Sequence, residues 1–253
     1  MNQSILPSIA RGSNGRTRDV VTIKTHWPHI QGRELDWSDE IDRAFYLIRN
    51  PMNALPSHHN FVYEYENQLE NHSTRAPLEE WIKWRDLRFH GELGEWRRHV
   101  EYWLDGYSPS DRIVVPYEHL IDEGQGPVVA AELSEFLGRG PGVDPIDKES
   151  VPCVWGTVVH YEKGNGVPNS RRPLPKDKKF VGSYPIWPSS HREGSKERPY
   201  TKENLEEFVS VLEQLKEKYL DEGGRLIDSL DMYIFDVKAT MESSENNDVT
   251  EVA

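Results

Sequence analysis

Residues Val20 to Ser57 read VVTIKTHWPHIQGRELDWSDEIDRAFYLIRNPMNALPS, and the parsing of this stretch decides the fold. It holds two apolar runs of strand length, Val20-Val21-Thr22-Ile23 and Ala44-Phe45-Tyr46-Leu47-Ile48. Both are β-branched or aromatic and lack clean period-two alternation, the pattern of strands covered on both faces. Lys24-Thr25-His26 follows the first run and Arg49-Asn50-Pro51 follows the second. Open parallel α/β sheets bind ligands just beyond the carboxyl ends of their strands. Two adjacent strand ends carrying Lys24, His26 and Arg49 therefore predict one polar, electropositive crevice. Spacing alone leaves a plainer alternative standing, with Lys24 and His26 solvated at a strand end and Arg49 in a surface ion pair.

Working outward, the 253 residues are enough for one α/β domain with polar extensions. Eight Trp, eleven Tyr and seven Phe supply large apolar surfaces for a core. A net charge of −13 argues against non-specific binding to nucleic acid or anionic membrane, so an anionic ligand must find a local basic pocket. One cysteine, Cys153, excludes an intrachain disulfide framework and a multi-cysteine metal site, and reads as a small buried apolar residue. No run approaches the roughly twenty apolar residues of a membrane span. Residues 1–18, rich in Ser, Gly, Asn and Arg, predict a disordered or loop N-terminus without a signal-peptide apolar core. Gly12 to Thr17 does not make a phosphate loop, because a strand follows it and none precedes it.

Downstream, Phe61, Tyr65 and Leu69 stand at helical spacing. A strong helical pattern runs from Pro77 to Leu104, with Gly91 and Gly94 predicted to split it in two. Its aromatic stripe Trp96, His99, Trp103 reads as core. Residues 112–117 form a third strand, and Pro127 to Gly138 a helix with a Pro start and a Gly stop. Val154 to Val159 read as a helix start, and Arg171 to Lys179 as a basic loop. Thr201 with Asn204 reads as an N-cap for a last amphipathic helix with Leu205, Phe208, Val211, Leu212, Leu215 and Tyr219 inward. Residues 225–237 add a short packed segment, and 238–253 an acidic disordered tail. Strands alternating with helices over 19–237 predict an α/β domain with a parallel sheet covered by helices.

The order strand, Lys24-Thr25-His26-Trp27-Pro28, strand, Arg49-Asn50-Pro51, then Ser57 resembles the cytosolic and Golgi sulfotransferase family. The likeness is good over about 19–137 and weaker over about 155–219. It implies a P-loop-like three-layer fold and transfer of a sulfuryl group from 3′-phosphoadenosine 5′-phosphosulfate (PAPS) to a hydroxyl or amine. The acceptor class extends to small molecules, carbohydrates and proteins. The family pattern opens with a strand and a Lys-Ser-Gly-Thr-Thr type loop that grips the phosphosulfate. Nineteen residues precede Val20 here and none match that loop, so a domain N-terminally truncated relative to the family is expected.

Sulfuryl transfer requires a positioned donor, neutralised developing charge and removal of the acceptor proton. Cationic side chains can supply the charge, so no metal is expected, and the adjacent His58 and His59 would diverge on a helix. The resemblance implies His26 as general base, which suits an imidazole with a pKa near ~6.5. Lys24 lies on the same strand face and leans on the transferring sulfonate or the acceptor. By the same resemblance Arg49 grips the 3′-phosphate with its planar fork, and Ser57 adds a hydroxyl. Tyr117 contacts the adenine end, and Arg192 with the Gly194 backbone closes over the nucleotide. A second reading is a non-catalytic relative that keeps the 3′-phosphoadenosine half-site and serves as a binding or regulatory partner.

Overall fold

The computed structural model describes residues 42–69, 74–139, 144–159 and 198–250, with side chains described as far as 243. The strand expected at 20–23, the N-terminus 1–18 and the basic loop 171–179 lie outside the described residues. Among the described residues there are two strands and seven α-helices. Strand β1 is Ala44–Ile48, followed by α1 Pro51–Glu66 and α2 Leu78–Gly106. Strand β2 is Arg112–Pro116, followed by α3 Tyr117–Ile121, α4 Gly126–Gly138 and α5 Val151–Val159. Helix α6 is Lys202–Lys218, and a 3₁₀ turn at Leu220–Glu222 leads to α7, Gly224–Thr250. None of these helices is long and apolar enough to cross a membrane.

The two strands are parallel and in register from Ala44↔Arg112 to Ile48↔Pro116. Parallel neighbours need a crossover, and α1 and α2 provide it. Tyr46 and Ile48 of β1 face a core shared with α1, α2, α6 and α7. Phe45 and Leu47 alternate outward and are 40% and 45% exposed. Among the described residues, the helices that bury β1 gather on the Tyr46 side. In β2, Val114 packs toward this core while Val115 is 1% exposed on the other face, and α4 packs against this strand.

Helix α2 is continuous, which corrects the expected break at Gly91 and Gly94. Two interior glycines cost about 2 kcal/mol of helix propensity. Phe89, Leu93, Val100, Trp103 and Leu104 of the same helix are buried, at roughly 1.5–3 kcal/mol each for most of them, so burial outweighs propensity. Phe61 and Tyr65 of α1 turn outward and Leu69 lies beyond the helix end, and the buried positions of α1 are instead Pro51, Met52, Leu55, Pro56, His59 and Glu64. Cys153 is exposed, not buried, because α5 seats Val151 and Trp155 inward. Trp155 lies over Gly126, where a Cβ would come within 2.3 Å of the ring, so only glycine permits that contact.

Thr201 and Asn204 form a complete capping box at the start of α6. Leu205, Phe208, Leu212 and Leu215 of that helix are all buried. Gly223 and Gly224 take positive φ values of 61° and 55°, turning the chain from the 3₁₀ turn into α7. Helix α7 runs through the segment 238–250, where the sequence predicts an acidic disordered tail. Val237 is fully buried, Met241 packs on the core, and Lys238 pairs with Glu213 of α6 at 2.9 Å. These contacts extend the helix past the point where composition alone stops it.

Pro56 sits inside α1 and cannot donate to the Met52 carbonyl. The Tyr200 hydroxyl supplies the missing donor, at 3.0 Å. Burial holds the Tyr200 phenol well above its ordinary range, so it stays a donor. Tyr200→Phe should destabilise the protein by about 1–3 kcal/mol, the cost of a buried acceptor left unpaired. In a Pro56→Ala background the restored N–H should remove most of that loss. Equal losses in both backgrounds, measured by urea unfolding, would show that the bond carries no stability.

Candidate functional site

Parallel pairing places the carboxyl ends of both strands at one edge of the sheet. The next residues, Arg49 and Tyr117, leave that edge side by side. The Arg49 guanidinium carbon lies 4.8 Å from the Tyr117 ring centroid, a cation–π stack. Arg49 is half-buried, and its Nε is buried without a hydrogen-bond partner. No carboxylate pairs with this guanidinium among the described residues. The aromatic face holds the cation in place without neutralising it, so the group keeps its capacity for an anion.

The chain around Arg49 is pinned. Asn50 is 1% exposed and caps α1, its Oδ1 accepting the Met52 N–H at 3.0 Å. Its Nδ2 donates to Asp236 Oδ2 of α7 at 3.1 Å. The Asn50 backbone N–H donates to Glu118 Oε1 at 2.9 Å, and the Tyr233 hydroxyl donates to Glu118 Oε2 at 2.8 Å. Burial first, and then the Glu118 carboxylate, hold Tyr233 well above the ordinary phenol range, so it remains a donor. The Trp96 indole N–H of α2 donates to the Arg49 carbonyl at 3.2 Å. Thus α2, α3 and α7 all reach the end of β1.

Of the residues singled out from sequence, Arg49 and Tyr117 come together. Ser57 is exposed on α1, seven positions beyond the cap residue Asn50. His26, Lys24, Arg192 and Gly194 lie outside the described residues. Trp96, His99 and Trp103 do pack as core: Trp103 is buried, and His99 stands edge-on to Tyr46 at 5.3 Å.

His58 and His59 do diverge. His58 reaches Glu92 at 3.5 Å, and His59 lies 5.5 Å and 5.2 Å from the rings of Trp81 and Trp84. Burial, and then the Arg198 guanidinium, pull His59 down to about 4, so it packs as a neutral ring at pH 7. Arg198 is itself 3% exposed and donates to the carbonyls of Ala76 and Pro77, which makes it a strut between α2 and the start of α6.

Sequence reasoning missed Asn50, Glu118, Trp96 and Tyr233 as parts of this site. An Asn-Pro pair before an apolar run is a helix-start signal and marks Asn50. Glu118, Trp96 and Tyr233 carry no such local mark, since their partners are distant in the chain.

A family model described as the sulfotransferase domain matches residues 13–154, more than half of the chain. The match covers β1 to α4, and with them Arg49, Ser57, Tyr117 and Glu118. Comparison with curated proteins and with solved structures gives no significant match.

Proposed function

The chain belongs to the sulfotransferase family, and from that premise we propose that it transfers a sulfuryl group from PAPS to a hydroxyl or amine acceptor. The observation that carries this reading is the half-buried Arg49 guanidinium, free of any carboxylate among the described residues and stacked on Tyr117. An unneutralised cation with a buried Nε–H suits a phosphate, which accepts charge-assisted and bidentate bonds from a guanidinium. In this reading Arg49 and Ser57 hold the 3′-phosphate, and Tyr117 lies against the adenine end. Arg192 and the Gly194 backbone close over the nucleotide. PAPS, when bound, supplies the activated sulfuryl group. His26 takes the acceptor proton on an imidazole nitrogen, and Lys24 offsets charge at the reacting centre. The acceptor is a small molecule, a carbohydrate or a protein side chain.

Calorimetry with 3′-phosphoadenosine 5′-phosphate and with AMP tests the nucleotide site. The bisphosphate should bind more tightly, and Arg49→Ala should remove about 1.5–3 kcal/mol of that advantage, the range for hydrogen bonds to a charged group. AMP affinity should change little. Equal affinity of the wild-type chain for both nucleotides would eliminate the 3′-phosphate site. Nucleotide discrimination without any transfer of labelled sulfate would favour the non-catalytic binding role.

A further inference from the structure

The Arg49 carbonyl and the Asn50 N–H belong to a single planar peptide unit, whose two polar atoms point in opposite directions. Trp96 donates to that carbonyl at 3.2 Å, and Glu118 accepts from that N–H at 2.9 Å. With both polar atoms held, the peptide plane cannot turn, and the rotation about the Arg49 Cα–C bond is set with it. Glu118 adjoins Tyr117, so the first two residues of α3 hold both ends of Arg49, the main chain by a carboxylate and the guanidinium by a ring. Tyr233, fully buried on α7, occupies the second Glu118 oxygen at 2.8 Å and leaves the first one aimed at Asn50. A carboxylate bound at one oxygen alone would swing about its last torsion, which is broad.

We infer that Glu118, oriented by Tyr233, is a positioning residue that aims Arg49, with Trp96 as its counterpart across the peptide. The inference rests on the proposed role of Arg49 toward phosphate, and it makes the C-terminal helix part of the site's support. The buried Asn50 ties this helix in a second time, through Asp236.

The test uses the full chain and two readouts. The first is the Arg49 Nε–H resonance by NMR without nucleotide, assigned by its loss in Arg49→Ala. The Tyr117 ring displaces this signal from that of a free arginine. Glu118→Ala should return it toward the free value and Tyr233→Phe should return it part of the way. Glu118→Gln, which still accepts from the Asn50 N–H, should keep most of the displacement. The second readout is the ratio of bisphosphate to AMP affinity. It should fall about tenfold in Glu118→Ala and about threefold in Tyr233→Phe, with AMP affinity unchanged. General loosening of the fold would weaken both nucleotides alike and leave the ratio intact.

An unmoved Arg49 signal in both Glu118→Ala and Tyr233→Phe overturns the inference. Should Glu118→Ala not fold, Tyr233→Phe, which removes one oxygen, carries both measurements. A wild-type chain without preference for the bisphosphate, but whose Arg49 signal responds as expected, supports the positioning role and removes only the phosphate reading.

Discussion

His26→Ala should lower sulfuryl transfer by roughly 10²–10⁴-fold, the usual share of a positioned general base. His26 closes the run Lys24-Thr25-His26 at the carboxyl end of the predicted strand at 20–23. A neutral imidazole can take a proton from a hydroxyl or amine as it attacks. Affinity for 3′-phosphoadenosine 5′-phosphate should be unchanged, because in the proposed function His26 serves the acceptor and Arg49 the nucleotide. Transfer of labelled sulfate from PAPS to a panel of hydroxyl acceptors measures the effect. Undiminished turnover in His26→Ala would remove this residue from the mechanism.

Phe208→Ala should cost about 3–5 kcal/mol of stability, read by urea unfolding. Phe208 of α6 is fully buried. Its ring meets Phe89 of α2 and Tyr200 edge-on, each at 5.0 Å between centroids. Alanine removes the transfer energy of the ring, forfeits two aromatic pairs and leaves a cavity between two long helices. The position bears on the site as well. Tyr200 holds the Met52 carbonyl in the first turn of α1, directly after the Arg49-Asn50 peptide. Phe61→Ala serves as the comparison, since Phe61 is 48% exposed and its loss should stay within about 0.5 kcal/mol. A loss below about 1 kcal/mol in Phe208→Ala would mean that the helix pair can close over the gap.

Much of the candidate site is written in local sequence. β-Branched and aromatic residues make Ala44–Ile48 and Arg112–Pro116 strands, and Asn50-Pro51 starts a helix at the end of the first. Two parallel strands leading into Arg49 and Tyr117 then place those residues together. The capping box at Thr201 and the buried stripe of α6 follow in the same way, because capping and amphipathic spacing act within a few residues.

Other features were decided by contacts between distant parts of the chain. Helix α2 passes through Gly91 and Gly94 because Phe89, Leu93 and Val100 around them are buried, and α7 passes Lys238 because α6 lies beside it. Phe61 and Tyr65 lie on α1 as their spacing predicts and Leu69 lies past its end, yet the core took the opposite face of α1 and buried His59 and Glu64. Glu118 meets Asn50 across 68 positions and Tyr233 across 115. Propensity and periodicity report only what a residue meets within a turn or two of its own helix or strand. The sequence by itself thus determined which residues end the strands and which can carry charge or take a proton. Only the tertiary structure decided which carboxylate holds the Arg49 peptide, because the energy of that bond lies in a pairing that exists once α2, α3 and α7 have closed on the same buried spot.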